Sequence, residues 1–214
     1  MMNFLESKWY KAASILWDMM VMGFLWTIFS LPLITIGAST TALYYLCTKK
    51  ISGYDEGYTF STFFKSFKEN FIKSTIAFII LVAVGFIAWF NLTLSPYVNL
   101  GALAMPVRII IFFVFVQAVF IISYIFAVIA RFETTVWQAL KAASFIANRH
   151  IFLTITNFIL MLALLQVVFI LPVLILFLMG VYGYFSSIII VKLFRKHFPE
   201  FEESVSLPVI NDDE

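Results

Sequence analysis

The chain has 214 residues, of which 63% are hydrophobic and 12% charged, with a mean hydropathy of +1.00. A water-soluble domain covers its surface with about a quarter charged residues, so this composition excludes an ordinary soluble fold. The net charge of +2 gives no basis for nucleic-acid binding, and the single cysteine, Cys47, excludes an intrachain disulfide and reads as a small packing residue near a helix end.

Four stretches lack Asp, Glu, Lys and Arg: 19–48, 74–107, 109–130 and 150–191. A hydrocarbon core takes about 20 apolar residues per helix, so the first and last stretches hold two crossings each. The first pair is 15–31 and 33–48, broken at Pro32, which has no N–H and disfavours helix at Leu31. The apolar run behind Lys8 and Lys11 is too long for a signal-peptide core, although Gly37, Ala38 and Ser39 resemble a cleavage site. An uncleaved first helix is expected. Beyond it, Phe60, Phe63, Phe64, Phe67 and Phe71 fall on one helical face, with Lys65 and Lys68 beside them. Such a stripe predicts a helix in the membrane interface, or one packed on the protein's own ends.

The third span is 74–94 and the fourth 107–130, joined by the uncharged Ser95–Pro106 connection. Thr134 or Thr135 then begins a second amphipathic helix through Trp137, Leu140, Lys141 and Ser144, after which Arg149 marks re-entry to lipid. The last stretch supplies spans at 151–171 and 173–191, hinged at Pro172. Residues 197–214, rich in Glu and Asp, read as an acidic cytoplasmic tail on a single membrane domain, 1–196. The predicted fold is all-α: a polytopic transmembrane helical bundle of six spans with amphipathic cytoplasmic helices.

Charge placement orients this layout, because short cytoplasmic loops collect Lys and Arg. With six spans and both termini inside, Lys8, Lys11, Lys49, Lys50, Lys65, Lys68, Lys73, Arg131, Lys141, Arg149, Lys192, Arg195 and Lys196 share one side. Only Arg108 falls on the other. In the alternative of five spans, 16–36 is one crossing, residues 37–48 lie in the interface or re-enter, and Lys8 and Lys11 are left outside.

Groups for catalysis are scarce. His150 and His197 are the only histidines, each beside a basic residue at a span boundary, and no Cys/His cluster, nucleophile elbow or phosphate-cradling glycine loop is present. No enzyme activity, metal or cofactor is expected. Asp18, Gln117, Asn157 and Gln166 are the candidates for a polar path through the bundle. The competing reading is that Asp18 pairs with Lys11 or another helix, while the three amides join helices by hydrogen bonds. Arg131 and Glu133 stand close enough in sequence to pair. Gly37 with Thr41, Ala38 with Ala42, and Gly180 with Gly183 and Ser187 form small-residue faces. These serve internal packing or contact with another membrane protein.

The stretch from Ser30 to Tyr45, SLPLITIGASTTALYY, followed by FFKSFKENF, resembles the YesL-like family of small bacterial membrane proteins, a domain of unknown function. Pro32, Thr35, Gly37, Ala38, Ala42, Leu43 and Tyr44 carry the likeness, then Phe63, Phe64, Phe67, Lys68 and Asn70. The resemblance implies a bacterial plasma-membrane protein encoded near carbohydrate-uptake and glycan-degradation systems. It therefore implies an accessory subunit beside ABC transporter permeases, and it brings no catalytic or ligand residues. The alternative is an independent small transporter or channel.

Overall fold

A computed structural model describes residues 8–54, 59–94 and 104–206, which form helices joined by short turns, with no strand among them. The helices are α1 (Lys8–Phe29), α2 (Ile36–Ile51), α3 (Thr59–Leu94), α4 (Ala104–Arg131), α5 (Val136–Arg149), α6 (Ile151–Ile170), α7 (Ile175–His197) and α8 (Phe201–Ser206). Four of them, α3, α4, α6 and α7, are long and apolar enough to cross a membrane, while the apolar part of α1, Ala13–Phe29, is shorter. Most of the predicted Ser95–Pro106 connection and the acids Asp212, Asp213 and Glu214 lie outside the described residues.

The breaks have local causes. Pro32 is extended (φ −75°, ψ 110°) and opens a 3-10 turn, Leu33–Thr35. The Thr35 hydroxyl closes this turn, donating to the Phe29 carbonyl at 2.5 Å and lying 2.6 Å from that of Pro32. α2 ends with Lys49 and Lys50 against its negative pole, and Gly53 takes the left-handed φ of 86° that lets its N–H bond the Lys50 carbonyl. α5 starts on a capping box: Thr135 receives the Gln138 N–H, and Gln138 receives that of Thr135 at 2.9 Å.

One predicted boundary is absent. The stripe from Phe60 to Phe71 and the span from Ser74 onward are a single unbroken helix of 36 residues, not an interfacial helix followed by a crossing. No Pro or Gly stands between Gly57 and Gly85, so nothing releases the backbone at Lys73. The stripe is shared between two environments. Phe63 is buried, and with Phe67 it packs on Phe29 (ring centroids 5.5 and 5.1 Å), whereas Phe60, Phe64 and Lys68 are exposed.

α2 forms the centre, packed on α3, α4 and α7, and α1 lies along α7. Apolar side chains gain little by leaving lipid for a protein interior, so close packing and hydrogen bonds must hold these helices together. Small residues provide that closeness. A Cβ on Gly37 would stand 2.8 Å from the Phe78 Cβ of α3, and one on Gly183 would stand 2.8 Å from the Leu43 side chain of α2. The tightest approach joins Gly23 of α1 to Gly180 of α7, backbone against backbone. The threonines of α2 find partners within this packing, whereas the buried Ser39 hydroxyl has none among the described residues. Thr40 and Thr48 donate to the carbonyls of Ile36 and Tyr44, and the Thr41 and Ser74 hydroxyls meet at 2.7 Å.

The segment after His197 is not wholly a free tail. Phe201 and Val205 of α8 are buried, and the Phe194 ring lies 5.5 Å from Phe201 and 5.2 Å from Phe132. Glu200, Glu202 and Glu203 are exposed, and Arg195 pairs with Glu202 at 2.7 Å. Phe198, Phe201 and Val205 recur at helical spacing among the charges, enough to dock one turn and a half on the bundle.

Candidate functional site

The four residues of the predicted polar path occupy separate places. Asp18 pairs with Lys50, bridging α1 and α2. Gln117 of α4 donates to the Ser144 hydroxyl of α5 at 3.0 Å. Asn157 is fully buried on α6 near the Tyr182 hydroxyl, and among the described residues neither polar atom of its amide has a partner in full hydrogen-bonding geometry. Gln166 is exposed on the same helix. None of the four contacts another.

The polar groups that do converge were not singled out from the sequence. Tyr44 and Ser186 are bonded at 3.1 Å, and Tyr124 and Thr154 at 3.1 Å, linking α2 to α7 and α4 to α6. Each hydroxyl sits in a long apolar run, where a tyrosine reads as an amphipathic filler. Above them lies a cavity of about 180 Å³, into which Thr40, Tyr44, Ser123 and Tyr182 turn among otherwise apolar walls. Trp26 also lines it and donates to Thr40 at 3.0 Å.

Arg131 is a buried charge at the end of α4. It is 6% exposed, and it turns into the bundle rather than toward Glu133, which is exposed. Nε donates to the Thr48 hydroxyl at 2.5 Å, Nη2 donates to the Tyr45 carbonyl, and the guanidinium stacks 4.3 Å above the Tyr45 ring. Among the described residues Nη1 has no hydrogen-bonding partner. Thr48 and Tyr45 supply oxygens and a π face, which serve a cation without a carboxylate.

The predicted small-residue face is enclosed. Gly37, Ala38, Thr41, Ala42, Gly180 and Gly183 are all buried against neighbouring helices, Thr35 is half-buried, and exposed Pro32 belongs to the turn. Cys47 is buried as well, its thiol 3.5 Å from the Met22 sulfur. Among the described residues no three His, Cys, Asp or Glu side chains gather as a metal site would require.

The two histidines meet. His150, between α5 and α6, places Nε2 2.6 Å from Nε2 of His197 at the end of α7. Partial burial, and then the charges of His197, Lys196 and Arg149, hold His150 below the ordinary 6.5 of histidine. The unfolded chain therefore takes up this proton first as pH falls. The stability that neutral His150 contributes is complete above about pH 6.5 and is lost as pH drops through its lowered value. The thermal midpoint of the detergent-solubilised protein is expected to decline with acidification below that point. His150→Gln should flatten the decline, and an equal slope in that variant would assign it elsewhere.

Comparison with known proteins places part of this architecture. No curated protein and no solved structure matches the chain. A family model described as Protein of unknown function, DUF624, matches residues 19–92, from within α1 to near the end of α3. The matched stretch includes the Pro32 turn, the buried face of α2 and the packing of Phe63 and Phe67 on Phe29.

Proposed function

We propose that the chain is a non-catalytic protein of the bacterial plasma membrane, a partner or accessory subunit of a carbohydrate ABC uptake system. The observation that carries the non-catalytic, partner reading is the dispersal of Asp18, Gln117, Asn157 and Gln166. A transporter working alone needs polar groups in file, and these four are tied off or isolated one by one. The carbohydrate system rests on the family resemblance alone. Crosslinking in native membranes followed by purification through a tag on this chain should recover permease subunits in fixed ratio. Repeated recovery of the chain by itself would defeat the reading.

Six crossings with both termini cytoplasmic belong to the same proposal. Asp18 with Lys50, Met22 with Cys47 and Trp26 with Thr40 are successive antiparallel rungs between α1 and α2, which supports a return crossing by α2. The grouping of cations supports this sidedness. The contact of Phe29 with Phe67 favours a shallower hairpin that turns back within the membrane on the same side. On a Cys47→Ser background, Leu33→Cys should react with an impermeant maleimide added outside. Protection of Leu33→Cys would establish the shallower hairpin.

The cavity beside Tyr44 and Tyr182 favours a second reading, an independent small transporter. Substrate flux into liposomes holding only this protein would establish it in place of the first.

A further inference from the structure

Helices α3, α4 and α5 leave between them a groove of about 900 Å³. Its walls are apolar: Ile80 and Val84 from α3, Phe113, Val114 and Ile121 from α4. Its rim is α5, which divides its residues strictly between two faces. Ala139, Ala143, Ile146 and Ala147 are buried in the protein. Trp137, Lys141, Ser144, Asn148 and Arg149 line the groove. Lys141 and Arg149 are exposed, lie 5.4 and 5.6 Å from the rings of Trp137 and Phe145, and have no carboxylate partner among the described residues. No acidic side chain lines the groove.

We propose that this groove holds one anionic glycerophospholipid, its acyl chains between α3 and α4 and its headgroup against the Lys141–Arg149 face of α5. Charge complementarity selects this occupant. Basic pockets between membrane helices take anionic headgroups, and the apolar walls require that the phosphate arrive on a hydrocarbon chain. A zwitterionic headgroup would bring its own ammonium toward two cations, with no acid present to receive it. Ser144 and Asn148 add short polar groups between the two charges, and Trp137 supplies a ring that is at home at the level of headgroups.

The test uses the full chain, purified in a neutral detergent and exchanged into phosphatidylglycerol or phosphatidylcholine of identical acyl chains, with bound lipid counted by native mass spectrometry. One phosphatidylglycerol should be retained in preference to phosphatidylcholine. The K141Q/R149Q variant, altered only at exposed positions, should retain it about tenfold less well. The K68Q/K192Q variant removes two exposed charges elsewhere and should behave as the parent does. Glycerol phosphate should not displace the lipid. Equal retention of the two lipids, an equal loss in K68Q/K192Q, or displacement by glycerol phosphate would overturn the proposal. So would recovery of a stoichiometric protein at this face with no lipid bound.

Discussion

Gly180→Val is expected to leave little folded protein in detergent. A Cβ at this position would lie 2.8 Å from the Met19 carbonyl carbon and 2.9 Å from the Gly23 nitrogen, with the Met19 oxygen nearer still. All three are backbone atoms of α1, so no rotamer change relieves the clash. The whole helix must move away from α7 along the longest contact it makes. Overpacking costs about 1–3 kcal/mol where side chains can adjust, and this site belongs at or above the upper end. Size-exclusion profiles after graded heating would read the loss. Gly85→Val is the matched control, because a Cβ there meets nothing within 4 Å and should leave the midpoint near that of the parent. If the two variants melt together, α1 and α7 do not approach as described.

Reversing the charge at Arg131 should be the next most damaging change. Its guanidinium is buried at the last residue of α4 and donates to the Thr48 hydroxyl and the Tyr45 carbonyl. A glutamate would present oxygen to oxygen at a buried position, and it would do so at the negative end of a helix. An uncompensated buried charge costs about 3–5 kcal/mol, so Arg131→Glu is expected to abolish the folded species. Arg131→Lys keeps the cation but loses the flat fork that stacks on Tyr45, and should cost about 1–2 kcal/mol. Thermal midpoints of the two variants give the comparison. Equal midpoints would show that the charge does not hold α4 to α2.

Local chemistry made much of the helical order legible. Pro32 marks the first turn, Thr135 with Gln138 marks the start of α5, and the long uncharged runs mark α3, α4, α6 and α7. What escaped depends on partners distant in sequence. Gly23 is one small residue in an apolar run until Gly180 is set against it. Arg131 looks like a boundary cation free to reach water, and only the placement of Thr48 and Tyr45 shows why it turns inward. The lysines between Phe64 and Ser74 suggested a change of direction, but charge alone does not bend a helix whose backbone is uninterrupted. Four polar side chains scattered through apolar runs resemble a file when only their depth is considered, and their bearings around each helix come from packing.

The unbroken course of α3 ties two environments into one mechanical shaft. At 1.5 Å per residue it is about 54 Å long, well beyond the roughly 30 Å of hydrocarbon, with no joint along its length. Torque applied where Phe60 and Phe64 are accessible is delivered to Ser74 and Ala77, and from Ser74 through its hydroxyl to Thr41 in the middle of the protein.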